Sequence, residues 1–271
     1  MRITSVLVTA IAFAAVFSHL LDAAPQGTSK TLVAVFAHGD DETVAAPVLA
    51  RYAREGAAVY LIIATDGAQG GLHTSISRSP ELARVRGEEA RCAANALGIR
   101  APILLGFPDA QLGSYMEDKS RLFQLTDRVQ GELQRLRPDA LITWGPDGGT
   151  GHPDHRLVSS IVTQLVRAGA PGVPEHLFYP SIPAEGLRMM SPTGAPPVHV
   201  VPQAKYFTMR VAFTPADAEA AQRAMACHRT QFSNDVVQRI GAAQTRALNG
   251  TLPLAPYLAG DAGTDVFTAS R

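Results

Sequence analysis

Between residues 31 and 167 the chain repeats one unit, a short apolar run followed by a longer amphipathic stretch. The apolar runs are "TLVAVFAH", "AVYLIIAT", "APILLGFPD" and "DALITWGP". The stretches between and after them read as helices: Asp41 to about Glu55, "SPELARVRGEEARCAANALG", "SRLFQLTDRVQGELQRLR" and "HPDHRLVSSIVTQLVRAG". In the second helix Ser79 serves as N-cap, Pro80 sits in the first turn and Gly98 is the stop. Apolar strands rich in β-branched residues demand burial on both faces, and with alternating helices they predict βαβ units. The expected fold class is α/β, a Rossmann-like, mostly parallel sheet flanked by helices, with a less regular C-terminal portion.

Beyond residue 170 the pattern weakens. "EHLFYPSI" and "KYFTMRVAF" read as strands, and "TPADAEAAQRAMACHRTQF" as a helix capped by Thr214. Residues 184 to 204 are Pro-rich and read as a surface excursion, and the tail from Leu252 reads as loop. The 271 residues suit one α/β domain, taken as 25–271 with its core at about 31–232. The opening "MRITSVLVTAIAFAAVFSHLLDAA" has an early arginine, an apolar run from Val6 to Phe17 and small residues at Ala23 and Ala24. That is the layout of a secretory signal peptide over residues 1–24, with an uncleaved anchor as the alternative. Either places the folded part outside the cytoplasm. Cys92 and Cys227 then pair in an oxidising compartment or stay as two buried thiols, and the sequence leaves both open. With 24 basic and 24 acidic side chains, charge gives no reason to expect nucleic acid or an anionic membrane as partner. Past residue 30 no stretch approaches the roughly 20 apolar residues of a membrane span.

Open parallel sheets bind ligands outside the carboxyl ends of their strands. There the first strand ends in "AHGDDE" and the fourth is followed by "GHPDH", with "DGAQGG" and "FPD" closing the second and third on the same rim. Imidazole and carboxylate are good ligands for Zn²⁺, whose catalytic sites take three protein ligands and a water. His38 and Asp41, three apart across a turn, can hold one ion together, and a histidine of "GHPDH" would complete the set. Asp40 is then left over beside the water, where a carboxylate can take a proton. The plainer reading is that both segments are helix starts, since acids favour the first turn and Pro153 suits it. Their coincidence at matching strand ends favours the metal. A nucleotide site at "DGAQGG" is discounted, because the turn lacks the dinucleotide spacing and opens no immediate helix.

With these residues in place, the chain resembles the zinc-dependent LmbE-like, or PIG-L, de-N-acetylases, which remove acetyl groups from N-acetylglucosamine conjugates. "AHGDDE" and "GHPDH" carry the resemblance, supported by "ATDGAQGG", "RGEEARCAANALG" and "GFPD". "ACHRTQF" resembles a late His-x-Ser-Gln element of that family. Gly39 stands where the family commonly has proline, which should loosen the first loop, and Thr230 where it commonly has serine. The resemblance implies that His38, Asp41 and His155 hold the metal and that Asp40 is the general base. It further implies that His152 stabilises the oxyanion or donates a proton, and that Asp154 orients His152 by a hydrogen bond. Arg86 and Asp109 would approach the sugar, and His228 and Gln231 would line the far wall or merely cap a helix end.

The expected activity is metal-assisted hydrolysis of an N-acetyl amide on a small-molecule, glycan or glycolipid substrate. The metal is Zn²⁺, with Fe²⁺ or another divalent cation open. The facial triad of non-haem Fe(II) oxygenases also fits "HGD" with a distant histidine, but such enzymes with that spacing sit on antiparallel barrels. A non-catalytic sugar- or metal-binding module is the other alternative, and it would not need Asp40.

Overall fold

The computed structural model describes residues 29–181 and 203–269. The leader and nearly all of the 184–204 excursion lie outside the described residues. The elements run β1 (Thr31–Phe36), α1 (Ala46–Arg54), β2 (Ala58–Thr65), α2 (Pro80–Leu97), β3 (Ile103–Phe107), α3 (Lys119–Leu136), β4 (Ala140–Thr143), α4 (Pro153–Arg167) and β5 (Leu177–Pro180). Then follow β6 (Met209–Ala212), α5 (Pro215–Cys227), α6 (Asn234–Leu248) and β7 (Thr251–Pro256).

The strands form one sheet in the order β3-β2-β1-β4-β5-β7-β6. The first five pair in parallel, and β7 runs antiparallel to both of its neighbours. The expected mostly parallel α/β sheet is therefore what the chain forms. From β1 the chain builds outward to β2 and β3 on one side, then to β4 and β5 on the other. The order reverses between β1 and β4, and the crevice of such a sheet opens there, past the carboxyl ends.

Alternate residues of β1 serve two cores. Leu32, Ala34 and Phe36 pack with Val48, Leu49 and Tyr52 of α1 on one face. Val33 and Val35 pack with Leu125, Val129 and Leu133 of α3 and with Leu157, Val158 and Ile161 of α4 on the other. A fully buried Leu, Val or Ile contributes about 1.5–3 kcal/mol, so this strand is pinned from both sides. A third, small-residue cluster of Ala46, Ala50, Ala93, Ala220 and Ala224 lets α5 lie close against α1 and α2. There Cys92 and Cys227 form a disulfide, answering the question the sequence left open.

Three sequence expectations change. The first helix is not continuous from Asp41, because a 3-10 turn over Asp41–Val44 gives way to α1 at Ala46. Pro47 in the first turn has no N–H to extend a helix back towards the acids. The stretch from Lys205 is a strand only over Met209–Ala212, after a 3-10 turn at Ala204–Tyr206. The tail from Leu252 begins not as loop but as most of β7, a strand inside the sheet, and is loop from residue 257. Helix α6, absent from the sequence reading, is capped by Ser233, which accepts from the Val236 N–H, and stopped by left-handed Asn249. No helix among the described residues is long and apolar enough to cross a membrane.

Candidate metal centre and active site

The three acids after β1 do not cap a helix with their side chains. Each has a partner elsewhere in the chain. Asp40 pairs with Arg86 of α2 at 3.0 Å, and Asp41 lies 3.1 Å from His155 Nε2. Glu42 meets His228 at 2.6 Å, and both of those side chains are fully buried.

Asp41 divides its two oxygens between two tasks. Oδ2 accepts from the backbone N–H groups of Ala37 and His38 and from Trp144 Nε1–H, each at 3.0 Å. Oδ1 is thereby aimed at His38 Nδ1 (3.7 Å) and His155 Nε2 (3.1 Å). Those two nitrogens lie 3.0 Å apart. Tetrahedral Zn²⁺ with bonds of ~2.0–2.1 Å separates its ligand atoms by ~3.3 Å, so this triangle has the right size for one ion. The other ring nitrogens are also engaged. His155 Nδ1 donates to the Gly148 carbonyl at 2.9 Å, and His38 Nε2 lies 3.1 Å from Asp109 Oδ1. Held this way, each imidazole presents its remaining lone pair to the triangle, the usual support for metal-binding histidines. Trp144 stacks flat on His155, with ring centroids 4.8 Å apart.

Two other donor groups are close enough to consider: one nitrogen each of His38, His152 and His155, or one atom each of His38, Asp109 and Asp154, within 4.8 Å of one another. The second is comparably tight along two sides, with His38 Nε2 3.1 Å from Asp109 and 3.4 Å from Asp154. The Asp41 set is preferred because it joins the loop after β1 to the start of α4 with two imidazoles and one carboxylate, a donor set that suits a catalytic Zn²⁺.

Charge supports the same conclusion. Burial lowers the pKa of His38, but Asp109, Asp154 and Asp41 outweigh it and push the ring up to about 12. Burial likewise opposes His155, which Asp41 nonetheless raises. Asp109 is drawn down to about 2 against the effect of burial, chiefly by His38, while His155 and His38 hold Asp41 well below the usual carboxylate range. This cluster of acids recruits positive charge wherever it can, and a divalent cation in the triangle would supply it.

The remaining predicted residues divide. Asp40, its side chain 23% exposed, lines the same cavity, and burial raises its carboxyl despite the opposing Arg86. His152 lines it too. As N-cap of α4 its Nδ1 accepts the Asp154 N–H at 3.2 Å, so Nε2 is the nitrogen that carries the proton of the neutral ring. Burial and the two neighbouring imidazoles lower its pKa, so this ring is a neutral donor. The expected carboxylate hydrogen bond from Asp154 to His152 is replaced by that main-chain contact, because the second helical position turns the Asp154 carboxylate inward to His38 Nε2, 3.4 Å away. Asp109, expected to approach the sugar, lines the cavity while engaging His38 and accepting the Gln69 N–H at 2.9 Å. Arg86 is buried, donating to the Gly67 carbonyl and to Asp40, with Nη1 also 3.5 Å from the Gly70 carbonyl. Gln231 lines the cavity while donating to the Gly70 carbonyl at 2.9 Å. His228 does not reach it, being held in the interior by Glu42. Thr230 meets the doubt about serine: its hydroxyl donates to Glu89 at 2.7 Å, as a serine could.

The sequence reading overlooked Trp144, Glu42 and Glu89. Trp144 had a signal, being the chain's one tryptophan and lying directly after the fourth strand.

Fold and site together define a class: an α/β protein that offers a His–Asp–His cation seat and a second carboxylate, held by an arginine, at the switch point of its sheet. The family model described as PIG-L, GlcNAc-PI de-N-acetylase, matches residues 33–166. A 1D-myo-inositol 2-acetamido-2-deoxy-alpha-D-glucopyranoside deacetylase of Corynebacterium urealyticum is 31% identical over 251 residues, covering 79% of this chain and 73% of the relative. The protein of the same name from Rhodococcus erythropolis is 32% identical over 165 residues, 53% of this chain and 55% of the relative, so that match spans about half its length. The N,N'-diacetylchitobiose deacetylase of Pyrococcus horikoshii shares the fold with a TM-score of 0.62 at 18% identity, over 84% of each chain. The chain belongs to the PIG-L family.

Proposed function

We propose that the protein is a metal-dependent hydrolase that removes the acetyl group from the amide nitrogen of an N-acetylglucosamine-type sugar or conjugate. The observation carrying this reading is the donor triangle of His38, Asp41 and His155, with Asp40 on the wall of the same cavity. Zn²⁺ suits these donors, and Fe²⁺ competes because affinity order alone does not set occupancy. Such a cation polarises an amide carbonyl and lowers the pKa of a water towards ~7.

The chain's own groups do the rest. Asp40 takes a proton from the attacking water as its oxygen bonds to the carbonyl carbon. Arg86, 3.0 Å away, holds that carboxylate in place. His152 donates Nε2–H to the developing oxyanion, a contact worth about 3–4 kcal/mol in comparable sites. Asp40 then returns the proton to the nitrogen, the C–N bond breaks, and acetate and the free amine leave.

Acetate release from a panel of N-acetylated sugars and inositol conjugates, with measured metal content, tests the reading. Asp40→Asn should lower kcat at least ~100-fold, as expected for a general base, while metal content stays the same. If metal-loaded protein frees no acetate from any member, the reading is wrong.

We also infer that the protein is exported. The layout of residues 1–24 supports this, as does the Cys92–Cys227 disulfide, a bond that persists in oxidising compartments. Mass spectrometry of protein from the producing cell should find a mature N-terminus near residue 25. An intact N-terminus on cytoplasmic protein would refute it.

A further inference from the structure

The cavity above the donors measures about 810 Å³, in the upper part of the ~300–1,000 Å³ range of small-molecule sites. Its lining is of two kinds. The polar part, with the metal donors, Asp40, Arg86 and His152, comes from the segment that matches the family model. Much of the apolar wall comes from later in the chain: Tyr179, Tyr206, Phe207, Phe232 and Ile240, joined by Leu72. Only four large hydrophobic side chains are strongly exposed among the described residues, and two of them stand on this wall, Leu72 at 79% and Tyr206 at 58%. Exposed apolar groups concentrated around one cavity mark a binding surface, not chance.

Sugar hydroxyls leaving water need hydrogen-bond partners. Aromatic faces alone could serve a sugar ring, but Ile240, Leu72 and the Phe side chains offer no polar atom to its hydroxyls. Resting on the deacetylase reading, we propose that the natural substrate carries a sizeable apolar group beside its N-acyl sugar, and that the Tyr179–Phe207–Phe232–Ile240 wall binds it. The same chemistry could sit on the aglycone or extend the acyl group itself.

The test compares four compounds on metal-loaded full-length protein: methyl and hexyl glycosides of N-acetylglucosamine, free N-acetylglucosamine, and N-hexanoyl-glucosamine. At least a tenfold higher kcat/KM for a hexyl-bearing compound than for its short counterpart is expected. Which hexyl compound gains assigns the apolar group to the aglycone or to the acyl side. Phe232→Ala and Ile240→Ala, checked for folding by circular dichroism, should reduce that gain to under threefold. Calorimetric binding of the same compounds to metal-loaded Asp40→Asn protein gives a readout independent of turnover and should show the same preference. Equal kcat/KM and equal affinity for short and hexyl compounds would overturn the proposal. Tighter binding of the hexyl compounds without release of acid would instead sink the deacetylase reading and keep the apolar wall.

Discussion

At the scale of single residues, the site depends on which atom of each side chain is already engaged. Trp144 illustrates this, because its N–H occupies Asp41 Oδ2 and leaves Oδ1 for the cation. Trp144→Phe should keep the stack on His155, lose that hydrogen bond and weaken metal binding about 10–100-fold, measured by competition with a chromogenic chelator. Removing Asp41 itself, as Asp41→Ala, should leave little metal bound after dialysis. The Glu42–His228 pair poses a different question. With both side chains fully buried, His228→Ala strands a carboxylate in the interior and should cost about 3–5 kcal/mol in urea unfolding. The donors themselves were legible in the sequence because "AHGDDE" and "GHPDH" are short motifs at strand ends. The partner of Glu42 was not, since 186 residues separate it from His228 and only the folded chain brings them together. Asp154 was read as a partner for His152, whereas its carboxylate lies 3.4 Å from His38. Residue type and position in a motif do not reveal which way a side chain turns.

Among the elements, legibility followed periodicity. The four βα units up to α4 declared themselves through short apolar strands, and their bounds differ from expectation mainly at the ends. Strand β7, "TLPLAP", did not, because two prolines argue against a strand with neighbours on both sides. The register resolves the conflict. Pro253 pairs only with Arg210 of β6, and Pro256 only with Phe178 of β5, so each proline lies where β7 has one neighbour. Leu254 alone pairs on both sides. The link between α2 and the turn after α5 is another element-scale feature, made by Glu89 accepting the backbone N–H and the hydroxyl of Thr230. Thr230→Val should lose about 1–3 kcal/mol in chemical denaturation, while Thr230→Ser should stay near the parent.

For the molecule as a whole, two constraints act far from the chemistry. The disulfide joins residues 135 apart in sequence and fixes α5 to α2. In the chain-entropy picture a closure of that length is worth about 4–5 kcal/mol. A Cys92→Ser/Cys227→Ser double variant should therefore melt at a clearly lower temperature in a thermal scan, and reductant should shift the parent the same way. The donor triangle acts similarly through mass action. A cation present at 1,000 times its Kd stabilises the folded state by about 4 kcal/mol, so chelation should lower the melting temperature of the parent and leave Asp41→Ala almost unmoved.

The staggered seat of β7 also matters while the chain is being made. Among the described residues β6 has no strand neighbour except β7, so it has nothing there to zip onto until synthesis has passed residue 256. A ribosome that stops before residue 251 releases a polypeptide whose fifth strand keeps only β4 beside it and whose sixth hangs free. Such truncated products should be protease-sensitive and prone to clump.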